Sequence, residues 1–211
     1  AVLPAGTLNH FARDVGITSF DDAITAVEGG FGVAVDVATV GGTPFLNTAS
    51  IGSYPEMVAE RERLEPRLGK WPALAVAAYR VLKTQEPLHV ELNGRPVKVW
   101  ILFVGNCAYT PRGLSPAWRP RLEDGQLDVQ YMRADKRFSR ARLAVMALAG
   151  LAERSRMYQQ MEVSELRVRS LAGPVQIARD GEPGEEAREF VFTKTPQRLV
   201  VYRPAEVADA P

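Results

Sequence analysis

The sequence predicts an α+β fold, a predominantly antiparallel β-sandwich with inserted helices, preceded by a short N-terminal piece of different character. Three observations carry this. From Phe31 onward, β-branched and aromatic runs recur at short spacing. Gly41-Gly42 and Asn93-Gly94 each stand between two such runs, as two-residue hairpin turns do. Stretches of helical period are inserted among the strands, which makes the class α+β.

In chain order, Ala1 to Phe11 reads as a strand end, a glycine-containing turn at Pro4-Ala5-Gly6-Thr7 and a helix N-terminus. Amides exposed at such a junction suit an anion, often a phosphate, while Thr7 or Asn9 would serve equally as a helix cap. A strand of this kind needs neighbours, so the sequence is expected to begin partway through a domain. Residues 10–28 read as two short helices, the second capped from Ser19 to Asp22 and ended by Gly29-Gly30. A domain boundary is placed there, giving 1–28 and 29–211.

Val33 to Val40 and Thr43 to Gly52 form the first predicted hairpin. Pro55 to Leu64, ended by Pro66, and Lys70 to Lys83 read as helices. Leu88 to Leu92 and Val97 to Val104 form the second hairpin, whose return strand is continuously apolar and therefore central. Asn106 to Asp124 is a long irregular stretch holding Pro111, Pro116 and Pro120. Strands follow at Leu127–Met132, Glu165–Arg169, Val175–Arg179, Glu189–Phe192 and Leu199–Tyr202, with a helix over Ser139–Leu151 between the first two.

The 211 residues, 46% hydrophobic and 24% charged, suffice for a sizeable core. A net charge of +1 argues against a nucleic-acid partner. Cys107 is the only cysteine, so no intramolecular disulfide exists. Leu143 to Ala152 is apolar but well short of a span of about 20 residues.

Two acidic turns stand out. Arg179-Asp180-Gly181-Glu182 places carboxylates on either side of a glycine at a strand end. A partly desolvated carboxylate there can take a proton from a hydroxyl, although Asp-Gly read alone is an ordinary turn. Arg121 to Val129 holds three carboxylates around Gly125, which suits a hard cation or simply an acidic turn. Residues 111–159 carry ten Arg or Lys against five Asp or Glu, and Lys136 to Arg140 sets Phe138 among basic side chains. Such a stretch can touch an anionic membrane surface or be a solvated helix start.

Leu3-Pro4-Ala5-Gly6-Thr7-Leu8-Asn9-His10-Phe11-Ala12-Arg13 resembles a signature of the bacterial branch of the diacylglycerol kinase-like lipid kinases. Its commoner form has a glycine where Leu8 stands and an aspartate where His10 stands. The Asn47-x-Ala49-Ser50-x-Gly52 hairpin, the Asn106 loop, the Asp124-Gly125-x-Leu127-Asp128 segment and Asp180-Gly181-Glu182 follow in the family's order.

The resemblance implies an ATP-dependent kinase acting on a lipid hydroxyl such as that of diacylglycerol. Glu182 would be the catalytic base, with Asp180 shaping the turn or helping with magnesium. Gly6, Thr7 and Asn9 would border the nucleotide. A structural Mg2+ would be held by Asp124 and the backbone carbonyls of Arg121 and Gln126. Residues 1–28 would be the end of a nucleotide-binding domain whose Gly-Gly-Asp-Gly-Thr loop is not among the 211 residues, so the chain alone is expected not to turn over ATP. A cytoplasmic protein, peripheral at the inner membrane surface and open to forming a homodimer, completes the expectation. Two alternatives stand beside it: a non-catalytic lipid-binding or assembly β-domain, and an NAD kinase-related enzyme with a soluble substrate.

Overall fold

The structure is a computed structural model of the 211-residue chain. It describes residues 1–6, 9–52, 60, 63–69, 72–73, 76–77, 79–80, 83, 86–110, 118–135, 139, 141–142, 145 and 155–205.

Two helices open the chain, α1 (His10–Asp14) and α2 (Phe20–Gly29). The start of α2 follows from its sequence: the Ser19 hydroxyl accepts the Asp22 amide, and Asp22 accepts the Ser19 amide, a reciprocal capping box. Gly30 ends it in the left-handed conformation at φ 67°.

Among the described residues eleven strands follow: β1 (Gly32–Val40), β2 (Thr43–Phe45), β3 (Thr48–Gly52), β4 (Leu88–Leu92), β5 (Arg95–Asn106), β6 (Leu127–Arg133), β7 (Tyr158–Val163), β8 (Glu165–Ser170), β9 (Val175–Arg179), β10 (Glu182–Ala187) and β11 (Glu189–Tyr202). They form one antiparallel sheet in the order β10-β9-β3-β5-β4-β8-β11-β1-β2, with β6 branching from β5 and carrying β7. The expected layers are thus parts of a continuous sheet that curls on itself. One core gathers Val40 and Phe45 from one end of the order, Ile51 and Ile177 from the other, and Leu102, Val168 and Phe192 between. Phe45 meets Phe192 edge to face at 6.4 Å.

β5 is central as expected, paired with β3, β4 and β6 and buried from Val99 to Asn106. The Asn93-Gly94 turn joins β4 to β5 with both φ positive. The first hairpin differs from expectation. On the hairpin side β1 pairs with the short β2, the return strand breaks at Leu46-Asn47, and β3 crosses to pair with β5 and β9. The two final predicted strands are one, β11, with Pro196 inside it. Pro196 cannot donate to a ladder, and the β1–β11 register is broken opposite it, between Val35 and Val37. Strands β7 and β10 were not expected from sequence.

The helices expected over Pro55–Leu64, Lys70–Lys83 and Ser139–Leu151 lie largely outside the described residues, though residues 63–68 are helical through Pro66 rather than ending there. Most of the Lys136 to Arg140 segment also lies outside them. Among the described residues no helix is long and apolar enough to cross a membrane.

The opening residues form a second, smaller core. Phe11, Ala12, Val15 and Ile17, with Ala23 and Ala26 of α2, pack against Val35, Leu122 and Val201. Residues on both sides of the expected 28/29 boundary therefore share buried contacts.

Candidate functional site

The β9–β10 turn carries the expected base. Arg179 pairs with Glu182, and the two-residue loop between them has positive φ at Asp180 (48°) and Gly181 (92°). This is a turn for which Asp-Gly is suited, because aspartate tolerates the left-handed region and glycine has no Cβ to obstruct it. Asp180 is anchored across the chain. Its Oδ1 accepts the amides of Asn47 (2.7 Å) and Thr48 (3.0 Å), and its Oδ2 accepts that of Leu46 (2.8 Å). Its own amide donates to the Thr48 carbonyl. The break between β2 and β3 is thus clasped by the turn that presents Glu182.

Glu182 begins an edge strand and is exposed, not partly desolvated as its position at a strand end suggested, since β10 is the end strand of the order. Its neighbour Arg179 is engaged elsewhere, donating to Glu185 at 2.6 Å.

The opening turn is organised by Asn9. Asn9 occupies the N-cap of α1 at φ 49° but makes no side-chain cap bond. Its Oδ1 instead accepts the Gly6 amide at 2.8 Å, and its Nδ2 donates to the Pro4 carbonyl. The Gly6 amide is therefore already used within the turn. Thr7 lies outside the described residues.

Asp124 sits at a turn completed by Gly125 at φ 72°. Its Oδ2 accepts the Ala108 amide (2.7 Å) and its Oδ1 that of Gln126 (2.8 Å). The Gln126 carbonyl accepts the Cys107 amide at 3.1 Å. Asp124 is fixed by amides on both oxygens, and each oxygen keeps a second lone pair. With the carbonyls of Arg121 and Gln126 on the same loop, the donor set is all oxygen and partly open to water, which fits a hard divalent cation such as magnesium.

A buried charge cluster adjoins this loop and was not anticipated. The bulge opposite Pro196 takes Asp36 out of the ladder. Its amide donates to the Leu122 carbonyl, and its Oδ2 accepts the Gly125 amide at 2.8 Å. Ligand atoms of Asp36, Cys107 and Asp124 lie within 4.8 Å of one another. The positive charge there belongs to Lys194. Its Nζ donates to Asn106 Oδ1 (2.6 Å) and Cys107 Sγ (2.9 Å), and stands 3.4 Å from Asp36 Oδ2 and 3.8 Å from Asp124 Oδ1. Burial pushes the Cys107 thiol up to about 11, against the opposing pull of the lysine. Nearby, burial also raises the pKa of Asp128, although the amides of Gln130, Gln160 and Tyr109 all donate to it.

Arg119 is the second unanticipated residue. It pairs with Asp14 at 2.7 Å, with both side chains almost wholly buried. It also donates to the carbonyls of Leu46 and Asn106 and to Asn47 Oδ1. Neither Arg119 nor Lys194 lies in a local motif, so only spatial proximity reveals them. Asp14 also lines a cavity of about 400 Å³, with Val33, Val35, Leu122, Glu123 and Arg203 among the other lining residues; Glu182 is not part of its lining.

No family profile matches the chain. The chain is 26% identical over 222 residues to the diacylglycerol kinase of Bacillus subtilis, covering 99% of this chain and 70% of that protein. It is 28% identical over 214 residues to a YegS-like lipid kinase of Pseudomonas aeruginosa, covering 97% of this chain and 68% of the relative. A Bacillus anthracis crystal structure described as a diacylglycerol kinase superposes with a TM-score of 0.63 at 16% identity, over 96% of this chain and 66% of that one. A second such structure from the same organism gives 0.68 at 20% identity, over 97% of this chain and 70% of the other. The curled antiparallel sheet with its two leading helices is thus a fold that the chain shares with these structures. In sequence the chain is similar to bacterial diacylglycerol and YegS-like lipid kinases, the resemblance its motifs indicated.

Proposed function

We propose that the protein phosphorylates a lipid hydroxyl, such as that of diacylglycerol, at the expense of ATP, and that this chain supplies the base. The observation that carries the reading is the Asp180-Gly181-Glu182 turn. Asp180 locks the turn through three consecutive amides, and Glu182 stands exposed at the sheet edge, two residues beyond that anchor.

Glu182 takes the proton from the lipid hydroxyl as its oxygen attacks the γ-phosphorus of ATP. The bond from that phosphorus to the β–γ bridging oxygen breaks, and ADP leaves. Positioning supplies most of the acceleration in such transfers, so a base on a rigid turn suits the chemistry. Gly6, Thr7 and Asn9 belong to the nucleotide side. Asn9 holds the shape of that turn through Gly6, and residues 1–28 form the end of the nucleotide-binding unit.

Asp124 with the carbonyls of Arg121 and Gln126 would hold Mg2+. Bound there, the ion would stiffen the loop electrostatically. Asp124 already ties that loop to Ala108, and so to the end of β5.

The test is phosphate transfer by the protein at its natural length, with ATP and either diacylglycerol vesicles or NAD. Transfer to the lipid is expected. Transfer to NAD alone, or to neither, overturns the reading.

A further inference from the structure

We propose that Arg119 is a positioning residue that couples helix α1 to the turn bearing Glu182. This rests on the reading of Glu182 as the base and of the opening segment as the nucleotide side.

Arg119 is among the largest fully buried side chains of the protein. Its backbone amide and Nε both donate to the Asp14 carboxylate, at 3.2 and 2.7 Å. Nη1 donates to the carbonyls of Leu46 (2.6 Å) and Asn106 (3.0 Å), and Nη2 to Asn47 Oδ1 (2.9 Å). The rings of Phe11 and Tyr109 lie 5.7 and 5.2 Å from the guanidinium carbon. One planar group thereby fixes α1, the β2–β3 break and the end of β5 relative to one another. A lysine ammonium cannot reproduce this fork, because it lacks the fixed directions of the guanidinium donors.

The chain of contacts continues. Leu46 and Asn47 accept from Arg119 on one side, and their amides donate to Asp180 on the other. Asp180 precedes Glu182 by two residues on a turn with no slack. The route from Asp14 to Glu182 therefore runs through the buried Arg119 guanidinium, residues 46 and 47, the Asp180 carboxylate and the two peptide units that follow it. In-line transfer requires the base and the nucleotide side in register, and this route sets that register inside the β-domain. The Asp14–Arg119 pair spans 105 positions of sequence, so it acts between segments that local structure does not connect.

The test uses hydrogen exchange and kinetics together. In the 211-residue chain, Asp14→Asn is expected to raise amide exchange at residues 46–48 and 180–182 by about tenfold, with β4 and β8 unchanged. Arg119→Lys should do the same. Exchange at 180–182 that stays at its starting value in a folded Asp14→Asn variant overturns the coupling. At natural length, Arg119→Lys should lower kcat by about a hundredfold and leave KM for ATP and lipid within about twofold. A loss confined to KM, or full kcat, also overturns it. If the unsubstituted protein transfers no phosphate to lipid, the kinase reading falls, while the exchange result still decides the coupling.

Discussion

The Asp180 carboxylate accepts the amide of Asn47 at 2.7 Å, across 133 positions of sequence. That bond and its two neighbours explain why the expected return strand of the first hairpin breaks where it does. They also fix the turn that carries Glu182. Asp180→Ala removes all three acceptors and leaves a non-glycine residue at positive φ without its local bonds. The folded state should lose about 2 kcal/mol, read as a lower urea midpoint at unchanged slope.

The buried Lys194 ammonium stands 3.4 Å from the Asp36 carboxylate and 3.8 Å from that of Asp124. Lys194→Met keeps the length of the side chain but removes the cation 3.4 Å from the buried Asp36 carboxylate. Destabilisation of about 3–5 kcal/mol is expected in urea unfolding. Asp36→Asn in the Lys194→Met background should recover part of it, because the stranded charge is then gone.

Cys107 is fully buried, and its thiol is pushed up to about 11 by that burial. It is therefore neutral near pH 8. Native protein should react with a disulfide reagent about a hundredfold more slowly than the same chain in denaturant. Equal rates would mean that the burial of Cys107 does not persist in solution.

Asp22 is held to about 2, first by the Thr18 hydroxyl and then by the amides of Thr18 and Ser19. A carboxyl depressed in the folded state stabilises above its ordinary value of 3.8 and loses that contribution as pH falls through the folded value. The stability gap between the natural sequence and Asp22→Asn should be full at neutral pH and close between about pH 4 and pH 2. Urea midpoints across that range provide the check.

What could be read from sequence was what short-range chemistry dictates. The Ser19–Asp22 cap, the Gly30 stop and the Asn93-Gly94 turn all depend on residues a few positions apart. The central place of β5 followed from its unbroken apolar run. Strand β10, Glu182-Pro183-Gly184-Glu185-Glu186-Ala187, has the composition of a polar turn and becomes a strand only because β9 offers an edge. Strand β7 likewise lacks alternation and is recruited by β6. The strands expected at Glu189–Phe192 and Leu199–Tyr202 are one strand, and Pro196 between them lies opposite the bulge at Asp36. The candidate site divides in the same way. The Asp180-Gly181-Glu182 and Asp124 turns are contiguous motifs. Arg119 meets Asp14 across 105 positions, and Lys194 meets Cys107 across 87, by routes that no periodicity encodes.

The most direct measurement is phosphate transfer from ATP to diacylglycerol by the protein at its natural length, compared with its Glu182→Gln variant. The variant keeps the shape of the turn and loses the proton acceptor. Transfer to lipid by the unsubstituted protein, with kcat lowered about 10²- to 10⁴-fold in the variant, is the predicted result. Undiminished kcat in Glu182→Gln, or no transfer to lipid by the unsubstituted protein, would contradict it.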